Sequence, residues 1–147
     1  MTSRVFFVIS LCALCVGTLA FAHTGVKNMA VMARMESMSA LGDNVKILGE
    51  MAKGKQAFDA DQARAAAEAI ARHAAETPAL FKAPETDPKS EALPVIWDDF
   101  AAFVEESDSL EAVASDLAVT MQNVDDLRNG LSRIGAACKA CHQVYRK

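Results

Sequence analysis

Several things are scarce or missing in this sequence. The apolar run at 5–19 falls short of the ~20 residues that a membrane-spanning helix needs. The 15 Lys and Arg form no basic cluster, and the 19 Asp and Glu leave a formal net charge of −4, which sets nucleic acid aside as a partner. Apolar–polar alternation of period two, the mark of a half-buried strand, is sustained nowhere. There is no low-complexity tract and no clear internal repeat. Proline is limited to Pro78, Pro84, Pro88 and Pro94, all in one stretch. Cysteine occurs in two pairs only, Cys12 with Cys15 and Cys138 with Cys141.

The first cysteine pair belongs to a leader. A single basic residue, Arg4, precedes the apolar run, and Ala20-Phe21-Ala22 follows it as a small-x-small site. This order of parts predicts a secretory signal peptide over 1–22, cleaved after Ala22, with a retained N-terminal anchor as the competing reading. Removing 22 residues from 147 leaves 125, enough for one domain at 23–147 with a modest core. Arg4 leaves with the leader, so the mature charge is about −5, and the only cysteines left are Cys138 and Cys141. The expected location is the periplasm, with no membrane association after cleavage.

Helical periodicity accounts for nearly all of the rest. Over 26–53 apolar residues recur at Val31, Met38, Leu41, Val45, Leu48 and Ala52. Gly54 supplies a stop, and Asp59 or Asp61 a new start. The second segment has a stripe of small residues, Ala63, Ala67, Ile70 and Ala74, which lets a neighbour approach closely. The four prolines then bracket a connection too broken for regular helix. The period returns at Ile96, Phe100, Phe103, Leu110, Ala114 and Leu117, and again at Leu127, Leu131, Ile134, Cys138, Cys141 and Tyr145. Four amphipathic segments joined by short, long and short connections predict an all-α antiparallel four-helix bundle. Trp97, Phe100 and Phe103 read as core aromatics, and His73 as a surface histidine.

Chemistry concentrates in CKACHQVYRK at the C-terminal end. Cys138 and Cys141 both lie on the apolar stripe of the last helix, and His142 stands one turn after Cys138. A redox dithiol belongs at the start of a helix beside a βαβ unit, where the helix dipole acidifies the thiol. A zinc site needs a fourth ligand, for which only His23, His73 or a carboxylate remains, none at a recognised spacing. Covalent haem needs nothing further. In C-x-x-C-H the two thiols add across the porphyrin vinyl groups, and the adjacent histidine becomes the proximal iron ligand. The expected cofactor is therefore one haem c with its iron, bound by Cys138, Cys141 and His142.

A C-terminal C-x-x-C-H on the fourth helix of an exported bundle resembles the class II cytochromes c, the cytochrome c prime family. RMESM in the first helix, GEMAKGKQAFD after it and LPVIWDDFAAF in the third helix extend the resemblance across the mature chain. Arg34 and Met38 acquire expected roles from it. On spacing alone, Arg34 either snorkels out at the bundle edge or pairs with a haem propionate, and the resemblance favours the propionate. Met38 is core filler by composition, but the resemblance places it on the side of the iron opposite His142. The MESM, GEMAKGKQAFD and PVIW stretches are closer to the methionine-ligated, cytochrome c-556-like branch. Met38 and His142 are then the metal ligands, with Met35 as a substitute one turn away and Met29, Met32 and Met51 as lesser candidates. That branch implies a non-enzymatic single-electron carrier working with periplasmic redox proteins, as monomer or homodimer. The alternative is a five-coordinate member whose open iron binds nitric oxide or carbon monoxide.

Overall fold

The computed structural model describes residues 25–147, so the expected signal peptide at 1–22, with Cys12 and Cys15, lies outside the described residues, as does His23. Five helices follow in order: α1 Met29–Ala52, α2 Ala60–Phe81, the short α3 Val95–Asp98, α4 Phe100–Thr120 and α5 Val124–Tyr145. The four long ones pack as an all-α antiparallel bundle in which α2 lies against both α1 and α4, α4 against α5, and α5 against α1. Each long helix starts on a side-chain cap that satisfies otherwise orphaned amides: Asn28, Asp59, Asp99 and Asn123. At Asn123 the cap is reciprocal, because Asp126 accepts from the Asn123 amide in return. The α1 helix ends where Gly54 takes φ +69, a left-handed turn that a side chain would strain.

The α2 helix departs from expectation. Pro78 does not begin the broken connection but sits inside the helix, which continues to Phe81. Proline has no N–H to give the carbonyl four residues earlier, here that of Ala74. That carbonyl instead accepts the hydroxyl of buried Ser107 on α4, at 2.7 Å. Ser107→Ala is therefore expected to cost about 1–3 kcal/mol by orphaning a buried carbonyl. The loss should shrink when Pro78→Ala restores the helical N–H, a double-mutant cycle readable by denaturant unfolding. A second departure is the division of the expected third helix. Asp99 takes φ −138 and ψ 72, and its carboxylate caps the Ala102 amide, so the chain re-enters helix at Phe100 as α4.

Apolar burial forms two clusters. The larger contains Leu48, Met51, Ile70, Leu117, Leu127 and Ile134 together with the α2 alanines. There α4 and α5 approach so closely that a Cβ on Gly130 would fall 2.3 Å from a Leu117 methyl. The smaller cluster is aromatic: Phe81, Phe103 and Tyr145 pack with Ile96, with ring centroids 5.1 Å and 5.2 Å from that of Phe103. Trp97 and Phe100 are half-buried against it, and the Trp97 indole donates to the Phe81 carbonyl at 2.7 Å.

Candidate haem site

Beside the aromatic cluster the helices part around a cavity of about 590 Å³. Its α5 wall carries Cys138, Cys141, His142 and Tyr145, with Arg146 just past the helix end. The α1 wall carries Val31, Arg34, Met35, Met38, Leu41 and Val45, and residues 89–92 of the connection between α2 and α3 close one side. Helical periodicity brings both thiols and the imidazole to this space, since positions 138, 141 and 142 fall on adjoining turns of one face.

Both thiols are free and half-buried. Burial holds Cys138 above the usual thiol range. Burial first, then the Glu106 carboxylate and Cys138, push Cys141 up to about 11. Such thiols are poor nucleophiles at neutral pH, and they sit in the C-terminal half of α5, so the structure gives a redox dithiol no support. Burial, and then the nearby Arg146 cation, lower the His142 pKa, with Glu91 opposing. The shift favours the neutral imidazole, the form that binds iron. Among the described residues no three His, Cys, Asp or Glu side chains group as ligands for a metal ion, so no zinc tetrahedron is assembled.

The walls fit a haem. The volume lies within the roughly 300–1,000 Å³ of small-molecule and cofactor pockets, and the facing side chains are mostly apolar. Two thiols and a neutral imidazole stand on one wall in the order that thioether attachment and proximal ligation require.

The methionines sort clearly. Met38 is half-buried on the cavity wall and also packs against the aromatic cluster. Met35 lines the same cavity one turn earlier. Met51 is buried in the other cluster, Met29 is 74% exposed, and Met32 lies off the cavity.

Arg34 is only 2% exposed, which corrects the edge-snorkelling reading. Its guanidinium donates to three main-chain carbonyls: Nε to Leu80 at 2.9 Å, Nη1 to Glu85 at 2.8 Å and Nη2 to Ala83 at 2.6 Å. It also lies over the Phe81 and Trp97 rings, 4.7 and 5.4 Å from their centroids. Burial lowers its pKa and Glu85 opposes the shift. A guanidinium has five N–H groups, so two remain for another acceptor. His73, expected at the surface, is half-buried away from the cavity, its Nδ1 3.5 Å from a Glu76 carboxylate oxygen.

Sequence reasoning missed the polar fastenings of the connection. Asp87 is buried and accepts from the Lys27, Asn28 and Lys89 amides, and these bonds, that of Lys89 above all, hold its carboxyl below the usual carboxylate range. An aspartate two residues before Lys89 was a legible turn signal. Its long-range bonds to residues 27 and 28 had no local mark.

Comparison with known proteins agrees with this geometry. A family model described as Cytochrome C' matches residues 29–146. A cytochrome c' of Pararhodospirillum photometricum is 34% identical over 121 residues, covering 78% of this chain and 93% of that protein. A cytochrome c-556 of Agrobacterium tumefaciens (strain apple 185) is 33% identical over 115 residues, covering 78% and 91%. The structure of cytochrome c' from Rhodopseudomonas palustris superimposes with a TM-score of 0.76 at 29% identity, covering 82% of this chain and 98% of that one. No helix among the described residues is long and apolar enough to cross a membrane. The chain belongs to the cytochrome c' family: it is a monohaem c-type cytochrome with a four-helix-bundle fold and covalently attached haem c.

Proposed function

We propose that the protein is a periplasmic single-electron carrier, with Cys138 and Cys141 as the thioether anchors and His142 and Met38 as the axial ligands. The observation that carries this reading is that Met38 enters from α1 the same cavity that the C-x-x-C-H residues enter from α5. When bound, haem supplies reversible one-electron exchange at its iron, tuned by its axial ligands. The chain's part is to hold that exchange in an apolar space. Val31, Leu41 and Val45 keep water from the Met38 side, while partial desolvation and the Arg146 cation favour the neutral His142 imidazole. Arg34 retains two N–H donors for a propionate beside its three carbonyl bonds. Under this reading the chain turns over no substrate and is not an enzyme. Its partners are periplasmic redox proteins, and it works as a monomer or homodimer.

A gas-binding role is the second reading. The same α1 wall would give carbon monoxide or nitric oxide an apolar berth if Met38 packed there without ligating. Relatives named cytochrome c' and cytochrome c-556 are about equally similar to this chain. The visible spectrum of the holoprotein, ferric and ferrous, with and without carbon monoxide, decides between the two. Electron transfer through His142 and Met38 predicts a low-spin spectrum with a ferric iron–sulfur band, unmoved by carbon monoxide and lost in Met38→Ala. A high-spin spectrum that shifts with carbon monoxide in the unaltered protein would assign the gas-binding role instead.

A further inference from the structure

The connection at 82–94 is held from both sides of the cavity, and residues 89–92 of it form part of the wall. From the α1 side, Arg34 grips the carbonyls of Leu80, Ala83 and Glu85, and the Lys27 and Asn28 amides donate to Asp87. From the α5 side, the Lys147 amide donates to the Glu91 carbonyl and the Leu93 amide to the Tyr145 carbonyl, both at 2.9 Å. The Arg146 guanidinium also pairs with the Glu91 carboxylate, Nε to Oε2 at 2.6 Å. Arg34 stands one helical turn before Met38, and Arg146, the extended residue that caps α5, donates its amide to the His142 carbonyl. One segment thus ties together, beside the cavity, the two helices that carry the proposed axial side chains.

We propose that Arg34 is a positioning residue: by clamping α1 to the segment that α5 also grips, it fixes the separation of Met38 from His142 and thereby holds the Met38 thioether on the iron. This rests on the His142/Met38 reading above. The guanidinium suits the task because its planar fork reaches three separate oxygens at once. The Leu80 carbonyl belongs to the last turn of α2, where unpaired carbonyls carry partial negative charge. A lysine presents its donors from a single atom and leaves at least part of this set unpaired. The α1 turn carrying Met38 is then free to drift, while the thioether and His142 attachments on α5 stay in place.

The test compares holoprotein variants Arg34→Lys and Arg128→Ala with the unaltered chain. Arg128 makes a similar bond, Nε to the Ala52 carbonyl at 3.0 Å, at the far end of the bundle. Carbon monoxide affinity of the ferrous protein and the low-spin fraction are read at the same interval below each variant's own Tm. Because carbon monoxide competes with Met38, a tenfold weaker Met38 bond raises its affinity by about tenfold. That rise in Arg34→Lys, with no rise in Arg128→Ala, supports the proposal. Equal affinity in Arg34→Lys and the unaltered chain overturns it, as does an equal rise in both variants. Failure of the underlying reading looks different: the unaltered protein would itself bind carbon monoxide without competition from Met38, and the proposal would fall with it. If Arg34→Lys does not accumulate, Glu91→Gln loosens the same segment at an exposed ion pair. A rise in affinity there supports the clamp, and unchanged affinity overturns it.

Discussion

A chain that never receives haem, made as Cys138→Ser with Cys141→Ser in a host that does not attach it, is expected to lose the cavity end of its fold and keep the far end. The cavity measures about 590 Å³. At ~24 cal/mol per Å³ of residual cavity, a sealed dry space of that size would cost roughly 14 kcal/mol. A whole domain has only about 5–15 kcal/mol of stability. Exposed residues at the rim, His142 and Glu91 among them, admit water, so the actual cost is smaller. Phe81, Ile96, Phe103 and Tyr145 all border the cavity, whereas Leu48, Met51, Met121 and Leu127 do not. Amide hydrogen exchange should therefore show lost protection around Ile96 and Phe103 and retained protection around Leu48 and Leu127. Uniform protection across both clusters would show that the walls close unaided.

Leu127→Ala is expected to produce the opposite pattern, a large loss of stability with an unaltered site. Leu127 is fully buried in the larger cluster and lies off the cavity. Truncating a buried leucine costs about 2–5 kcal/mol, more where neighbours cannot collapse into the gap. The cluster includes Ala63, Ala66, Ala67, Ala114 and Ala118, whose short side chains have little reach, so the upper half of that range is expected. Denaturant unfolding should show a lower midpoint at unchanged slope, and the visible spectrum should stay that of the unaltered protein. A spectral change would mean that the two clusters are coupled through α5.

Much of this arrangement was legible because helical burial repeats along the chain. The stripe through Leu127, Ile134 and Tyr145 is buried, and Cys138 and Cys141 on it face the cavity. The inner row of α2, Ala63, Ala67, Ile70 and Ala74, is buried throughout. Pro78 misled because its compensation comes from Ser107, 33 residues beyond the Ala74 carbonyl that the serine serves. No local pattern announces such a donor. The break at Asp99 was legible in part: an aspartate before Phe100 is a cap signal, but an apolar period that runs on across it hid the interruption. The charge, length and placement of Arg34 were visible, yet its partners were not, because they are main-chain carbonyls, two of them in a connection without regular structure.

That last point bears on how this protein tolerates change over evolutionary time. The oxygens that Arg34 grips belong to the main chain, and every amino acid supplies one. The identities of Leu80, Ala83 and Glu85 are therefore free to drift as far as the clamp is concerned. Spacing is not free to drift. A residue inserted or deleted between Leu80 and Glu85 would carry an oxygen out of the fork's reach. For the clamp, the segment is tolerant in composition and intolerant in length, the reverse of an ordinary surface loop.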